Sequence, residues 1–528
     1  MIWQGKELSE TKETDIYSYI FRNVQQYAEL PALLEYQSGR ELLYGELVDQ
    51  VGSTARGLRK LGVKKGSVVA VVGPYYLDQI ESVLAWFAAL KIGAVVMLVE
   101  VMFWDEAFLL FQLEEVKVDC IISPERYLSK VELILSKLRL KTKNDPHIVV
   151  IDKFNTGKYH PFTSLQTDNS SDLDVTVSDE SPIMSSELGL IEYTSGTAGR
   201  PKGVLMSHRA LIHAVQSLAI AQEDITLPGQ ASVMIFGNVN VYAAAVNTGM
   251  KYIVMDAPLT EKSLLLEAAL KLKVTFTGCP VDVTDKLGRR PIPEVKHRFI
   301  WSGSAPLRRD VVERFYQAYS DTKLIQHYGS TEDGMVAVAI SGVNGIHAAN
   351  SHSVGKPLAG VEIKITRLDT GKEIGPDEAG EVWVRSPGLM SGYLNRPEVE
   401  KIVLQDGWYR TGDYGYVDKD GFLYITDRIR DLIHYKGNVI SATELETWLC
   451  RHPGVDDAAV IGVPGETGEH VPRAYVVKAD VELTEPTLIS YIEEKCEDHY
   501  FLRGGVVFVS CIPRKPTGKM MRQMLLTH

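Results

Sequence analysis

Val68-Val69-Ala70-Val71-Val72 is apolar at every position and ends in Gly73-Pro74, after which Ile80, Val83, Leu84 and Phe87 recur at helical spacing. A strand that is apolar on both faces must be covered on both faces, as in a parallel sheet flanked by helices. The pattern repeats through a buried run from Ala94 to Val99, a helical stretch around Glu106 to Glu115, and a third apolar run at Val118-Asp119-Cys120-Ile121-Ile122. Strands alternating with helices read as crossover units, so the predicted fold class is α/β.

Outward from that centre the texture changes. Between Asn155 and Glu187 the chain is rich in Ser, Thr, Asp and Asn, and reads as an exposed connection. From Val361 onward, short alternating segments with Gly and Asp-Gly turns (VEIKITRLDTGKEIGPDEAGEVWVR, later DKDGFLYI) predict antiparallel hairpins. The C-terminal part carries helix and strand signals of its own (TELETWLCRHPGV, DAAVIGVPG, AYVVKAD, TLISYIEEKC), enough for a small α+β unit. The 528 residues exceed what one hydrophobic core supports, roughly 250 to 300. The expectation is a large N-terminal domain with several subdomains, in which parallel sheets wrapped by helices join a small β-rich part, followed by a small mobile α+β C-terminal domain.

Composition narrows the function classes. Lys+Arg 56 against Asp+Glu 68 gives a net charge of −12, which offers no general attraction to a phosphodiester backbone or an anionic lipid surface. A nucleic-acid polymer is therefore not an expected partner. The five cysteines (Cys120, Cys279, Cys450, Cys496, Cys511) are odd in number and never spaced as C-x-x-C, arguing against a disulfide framework and a zinc site. The N-terminal MIWQGKELSETKETD lacks an apolar signal-peptide core, Phe87 to Phe103 is interrupted by Lys91 and Glu100, and the end Leu526-Thr527-His528 is not a Ser-Lys-Leu type address. These features predict no transmembrane segment and a cytoplasmic protein, monomeric or homodimeric.

Chemistry concentrates in Tyr193-Thr194-Ser195-Gly196-Thr197-Ala198-Gly199-Arg200-Pro201-Lys202-Gly203, a loop between the apolar GLIEY and the helix-like ALIHAVQSL. Small residues let backbone N–H groups approach a polyphosphate, hydroxyls donate to its oxygens, and Lys202 supplies charge. A Walker A loop needs Ser or Thr after its lysine; here Gly203 follows, which excludes a P-loop ATPase. In isolation such a loop is as readily a solvated turn.

Further motifs follow in order: Ser302-Gly303-Ser304-Ala305-Pro306-Leu307, Gln326-His327-Tyr328-Gly329-Ser330-Thr331-Glu332, and Trp408-Tyr409-Arg410-Thr411-Gly412-Asp413. After them come Asp427-Arg428-Ile429-Arg430-Asp431, Tyr435-Lys436-Gly437, and Pro513-Arg514-Lys515-Pro516-Thr517-Gly518-Lys519. With the Tyr193–Gly203 loop, where only Ala198 departs from the signature, these motifs make the chain resemble the adenylate-forming superfamily from about Tyr44 to the C-terminus. Within that superfamily of acyl-CoA synthetases, adenylation domains and beetle luciferases, the texture is most similar to the 4-coumarate:CoA ligase and luciferase-like branch.

The resemblance implies an acid:thiol ligase, in which a carboxylate and ATP give acyl-AMP and pyrophosphate, and transfer to coenzyme A then gives acyl-CoA and AMP. It places Thr194, Ser195, Gly196, Thr197 and Lys202 on the β- and γ-phosphates, Thr331 on the α-phosphate, and Glu332 on Mg²⁺. Asp333 reads as a solvated loop acid. Ala305, Gln326, His327 and Tyr328 would form the adenine wall, Asp413 would accept from the ribose hydroxyls, and Arg428 would contact the ribose or phosphate side. Lys519 would reach the bridging oxygen during adenylation. Arg430 falls at the hinge between expected domains 1–427 and 428–528, and Lys436-Gly437 joins the thioester-forming face that meets coenzyme A. The acid, aromatic or a medium to long aliphatic carboxylate, would lie among Tyr242, Ala243, Gly303, Gly329, Gly334 and Met335, with Gly303 and Gly329 leaving room for it.

The pattern also fails in places. Gly237 or Asn238 stands where the branch carries a histidine, His434 where a Lys is common, Val439 where a Gln is usual, and Val99-Glu100-Val101 replaces an Asn-Pro element. Two alternatives remain open on the sequence: a luciferase-like oxygenase or carrier-protein adenylating enzyme, and a non-catalytic nucleotide- or acyl-binding homologue.

Overall fold

The doubly apolar run is the centre of a sheet covered on both sides. In the computed structural model, which describes residues 1–73, 79–101, 105–141, 145–152, 157–166, 181–194, 201–222, 231–234, 239–255, 262–289, 291–292, 298–303, 305, 307–340, 352–465, 468–515 and 518–527, Val68–Gly73 lies between Val95–Glu100 and Cys120–Pro124, parallel to both. The sheet continues through Leu188–Thr194 on one side and through His147–Ile151 and His160–Pro161 on the other. Lys202–Ser207 then folds back antiparallel on Leu188–Thr194, and Gly392–Tyr393 closes that edge.

A second sheet places Lys323–Tyr328, Phe299–Gly303, Phe276–Pro280, Ala231–Met234, Lys251–Val254 and Pro31–Glu35 side by side, all parallel. The helix Ile80–Lys91 is apolar almost all round because it touches both sheets, meeting Val68–Gly73 and Val95–Glu100 of one and Pro31–Glu35 of the other. Its Trp86, Phe87 and Leu90 are buried in a core shared with Val69, Tyr252 and Trp301.

The predicted hairpins form an antiparallel sheet of Glu362–Thr366, Gly380–Arg385, Trp408–Val417 and Leu423–Arg428. Ile2–Gln4 adds an edge strand to it, pairing across more than 350 residues, so local periodicity gave no sign of it. Turns fall where the sequence indicates: Gly371 and Gly421 hold φ of 67° and 82°.

The C-terminal stretch has its own core. Helices Ala442–Arg451 and Glu485–Lys495 pack with Val455–Pro464, His470–Lys478 and Val506–Phe508, burying Leu445, Leu449, Val460, Tyr475, Leu488 and Ile492 together. That cluster runs over 433–525 and contains no residue of the large core.

One expectation needs correction. Part of the segment read as an exposed connection belongs to the core: Phe162 and Leu165 are buried, and Gly57 is Cβ-less where Leu165 Cα would stand 2.4 Å from a side chain. Two isolated apolar residues in a polar stretch carry no periodicity, so the sequence could not distinguish them from loop residues. Of the same stretch, 155–156 and 167–180 lie outside the described residues.

Candidate active site

The functional side chains gather at strand ends. Lys202 sits opposite Thr194 in the antiparallel pair, which puts both on one face of the sheet. Glu192 and Tyr393 oppose Val204 from its two sides and share that face. Lys202 Nζ lies 4.2 Å from the centroid of the Tyr393 ring, and Tyr393 Oη donates to Glu332 Oε1 at 2.9 Å. One tyrosine thus touches the loop lysine with its face and the buried carboxylate with its hydroxyl. Enclosure by protein, then the Glu332 charge, pushes the Glu192 carboxyl up to about 7. Thr194 Oγ1 is buried without a partner among the described residues. Ser195, Gly196 and Thr197 lie outside the described residues.

Glu332 is presented by a tight turn. Gly334 N donates to Ser330 O at 2.8 Å, and Met390 N donates to Glu332 O at 2.8 Å. Thr331 is half-buried beside it. Asp333 is not the solvated acid expected from its loop position: it is 1% exposed and accepts from both the backbone N–H and the hydroxyl of Ser330. The turn folds back on itself, and burial pushes this carboxyl up to about 7 against those two hydrogen bonds.

The room attributed to two glycines is also taken by the protein. A Cβ on Gly303 would stand 1.9 Å from His327 Cε1, and one on Gly329 would stand 2.0 Å from Gly334 O. Gly303 therefore accommodates an imidazole, and Gly329 a carbonyl. His327 does not share the face of Tyr328, since successive strand residues alternate. Trp301 Nε1 donates to His327 Nδ1 at 2.5 Å, and burial lowers the histidine to about 4, so the ring is neutral. Gln326 is buried and Ala305 half-buried.

Tyr328 points to the other side, where its Oη donates to Asp413 Oδ2 at 2.7 Å. Arg428 Nε lies 2.8 Å from Asp413 Oδ1, while Arg428 Nη1 donates to Thr411 O at 3.0 Å. Burial raises the Asp413 carboxyl, with Arg428, Tyr328 and Lys519 opposing. Lys519 belongs to the same charge cluster although it comes from the C-terminal core. Burial, then Arg428, Arg430 and Lys515, lowers its ammonium to about 8, with Asp413 opposing. The backbone around it is a hairpin, with Lys515 N donating to Lys519 O and Gly518 N to Lys515 O, both at 2.8 Å.

Other predicted positions fall apart from this cluster or out of view. Arg430 is partly exposed, 3.6 Å from Asp431, in the short turn joining the antiparallel sheet to the C-terminal core. Lys436 and Gly437 have φ of 48° and 77° and connect Ile433–Tyr435 to Asn438–Ile440, a two-residue hairpin turn that explains the Lys-Gly pair without any ligand. His434 is exposed on that hairpin and Val439 half-buried. Tyr242 has its backbone in the helix Val239–Asn247, but its side chain, like Gly237 and Asn238, lies outside the described residues; Ala243 is buried in that helix. Met335 is buried at the edge of the main core, and Gly334 takes φ of 67°.

Sequence reasoning missed Glu192 and Tyr393. Glu192 was hidden in an apolar strand, and Tyr393 is separated by about two hundred residues from the loop it pairs with. Among the described residues no cluster of three His, Cys, Asp or Glu could hold a metal by itself, and no helix is long and apolar enough to cross a membrane.

Comparison with known proteins gives the family of the chain. The family model described as AMP-binding enzyme matches residues 20–394, and that of the AMP-binding enzyme C-terminal domain matches 444–519. The chain is 27% identical to 4-coumarate–CoA ligase 1 of Solanum tuberosum over 97% of its own length and 94% of the relative's. It is 29% identical to 4-coumarate–CoA ligase 1 of Arabidopsis thaliana, over 97% and 92%. Among solved structures it is similar in fold to an anthranilate CoA ligase in complex with anthranoyl-AMP, with a TM-score of 0.83 at 22% identity and 98% of each chain covered. The O-succinylbenzoate coenzyme A synthetase of Bacillus subtilis, in complex with AMP, gives a TM-score of 0.76 at 23% identity, again with 98% of each chain covered. With both family models matched in order along the chain, this protein belongs to the AMP-binding enzyme family.

Proposed function

We propose that this chain is an AMP-forming acid:CoA ligase, and that one observation carries the reading: Lys519, half-buried at the edge of the C-terminal core, is electrostatically coupled to the Asp413–Arg428 pair of the large body. A carboxylate is a poor acyl donor because oxide is not an adequate leaving group. Attack of its oxygen on the α-phosphorus of ATP forms a C–O–P linkage and expels pyrophosphate. The thiolate of CoA then attacks the acyl carbon, forming the thioester and releasing AMP. Both steps need charge neutralised and reactants aligned rather than a covalent enzyme intermediate.

The residues take roles accordingly. Thr194, Ser195, Gly196, Thr197 and Lys202 hold the β- and γ-phosphates, and Tyr393 fixes the lysine relative to Glu332. Thr331 meets the α-phosphate. Tyr328 stacks on adenine beside Ala305 and Gln326; Asp413 receives the ribose hydroxyls, and Arg428 keeps that carboxylate charged. Lys519 donates to the oxygen bridging carboxylate and α-phosphate. Mg²⁺ fits the donors present, since Glu332 is a hard, buried oxygen ligand and Thr194 Oγ1 is buried without a partner among the described residues. When bound it supplies neutralisation of phosphate charge. Residues 1–427 then form the nucleotide- and acid-binding body and 428–528 a unit that turns near Arg430, bringing the Lys436-Gly437 hairpin to CoA in the second step.

The acid enters beside Met335 and the helix carrying Tyr242 and Ala243. His327, a planar ring lowered to about 4 and so uncharged, fills the space beside Gly303, and this favours an aromatic or other planar acid over a bulky branched one. A panel of carboxylates assayed for pyrophosphate release, with and without CoA, tests the reading. Acid-dependent release with acyl-CoA formed on adding CoA supports it, and no release from folded protein with any acid contradicts it.

A further inference from the structure

Lys519 is half-buried and its ammonium feels the like charges of Arg428, Arg430 and Lys515, so contacts that keep the C-terminal unit in this arrangement must come from elsewhere. Two adjacent carboxylates supply opposing contacts. Asp457 accepts from Arg514 Nη2 through both oxygens, at 3.0 and 2.9 Å, and Arg514 stands at the base of the hairpin that ends in Lys519, with its Nη1 3.3 Å from Gly518 O. The same Asp457 is 3.9 Å from Arg308 Nη1 of the large body. Its neighbour Asp456 accepts from Arg289 at 3.0 Å on its side chain and 2.8 Å on its carbonyl. Arg451 and Glu313 add another crossing pair at 3.4 Å.

The basic side of this contact is rigid. Arg289 is held by Asp285 at 3.1 Å, Arg308 by Asp310 at 3.1 Å, and Arg314 ties Asp285 to Asp310 at 2.7 Å each, so the helices Val281–Arg289 and Arg309–Ala318 present two fixed guanidinium groups to the acidic strand end. Each crossing pair is partly exposed, and pairs of this kind shift an equilibrium by roughly fivefold at most, so they act usefully only together.

We propose that Asp456 and Asp457 form an electrostatic catch that sets the Lys519 arrangement: Asp457 is a positioning residue, bracing the lysine hairpin through Arg514 while docking on Arg308, and Asp456 docks on Arg289. This inference rests on the ligase reading above. The crossing contacts belong to the arrangement with Lys519 in the cleft, so they favour adenylation and oppose the turn to thioester formation. The catch is held weakly enough to release in each cycle because its pairs are solvent-screened.

The test separates the half-reactions. Acid-dependent exchange of labelled pyrophosphate into ATP reads adenylation, and acyl transfer from a supplied acyl-adenylate to CoA reads the second step. Asp457→Asn is expected to lower adenylation about fivefold and the exposed Asp456→Asn about threefold, with transfer unchanged or faster. Raising salt from about 0.05 to 0.5 M is expected to lower adenylation in the unaltered protein and to do so less in the variants. Adenylation unaffected by both substitutions, or both half-reactions falling in parallel, overturns the catch while leaving the ligase reading intact. Absence of any exchange in the unaltered protein overturns the ligase reading and the catch with it. Asp456→Asn serves where Asp457→Asn fails to fold, because Asp456 is 58% exposed.

Discussion

The Tyr393 hydroxyl donates to Glu332 Oε1 at 2.9 Å while the face of the same ring lies 4.2 Å from the Lys202 ammonium. One side chain thereby couples the phosphate-loop lysine to the carboxylate proposed to hold Mg²⁺. Tyr393→Phe keeps the ring and deletes the hydroxyl. It is expected to lower pyrophosphate exchange about tenfold, equivalent to about 1.4 kcal/mol, the lower end for a hydrogen bond to a charged group. Weakened Mg²⁺ dependence, read as a higher half-saturating Mg²⁺ concentration, should accompany the loss.

His327 was expected from its motif to line the adenine wall, and the structure turns it to the opposite face, against Trp301 and Gly303. His327→Ala should therefore leave KM for ATP within about twofold. It should raise kcat/KM for a bulkier acid relative to a smaller one by about tenfold, the scale of discrimination for a few methylene groups. A large rise in KM for ATP would return His327 to the adenine site.

The Lys519 ammonium, lowered to about 8 by burial and its cationic neighbours, is charged below that pH and neutral above it. Since the charged form is the one that stabilises the developing negative charge, kcat/KM for ATP in pyrophosphate exchange should fall as pH rises through about 8. Transfer to CoA should not fall over that range, because the attacking thiolate becomes more abundant.

Stability of the C-terminal unit depends on a buried pair. Glu446 is 4% exposed, accepts from Val460 N at 2.9 Å, and lies 2.8 Å from Arg522 Nη2. Burial raises its carboxyl to about 7 even with Arg522 opposing. Arg522→Ala leaves that carboxyl without its counter-charge, which should cost about 3 kcal/mol in urea or thermal unfolding. The sign for pH follows from the raised value: the contribution of Glu446 is fullest below its ordinary range near 4.5 and declines as pH rises toward 7.

Legibility in the sequence followed the range of the signal. The runs at Val68 and Ala94 and the helix at Glu106 to Glu115 declared themselves through short periodicity, and the last of these matches the observed helix Glu106–Glu115. The strand at Ile2–Gln4 and the burial of Phe162 and Leu165 depend on partners far along the chain, so no local pattern encodes them. The site divides in the same way. Asp413, Arg428 and Lys519 stand in motifs that could be read singly, and folding brings them into one charge cluster. Glu192 and Tyr393 come to Lys202 and Glu332 through strand pairing on either side of Val204, and Asp333 is buried because its turn folds back on Ser330.

The central claim is that a lysine from the C-terminal core performs the first half-reaction and is dispensable in the second. Its most direct test compares Lys519→Ala with the unaltered protein in both half-reactions, using an acid that supports pyrophosphate exchange. The account predicts a loss of about a hundredfold or more in exchange, on the scale of deleting one preorganised donor to developing charge, with transfer from a supplied acyl-adenylate to CoA retained. Exchange that survives the substitution, or transfer lost to the same degree, would contradict it.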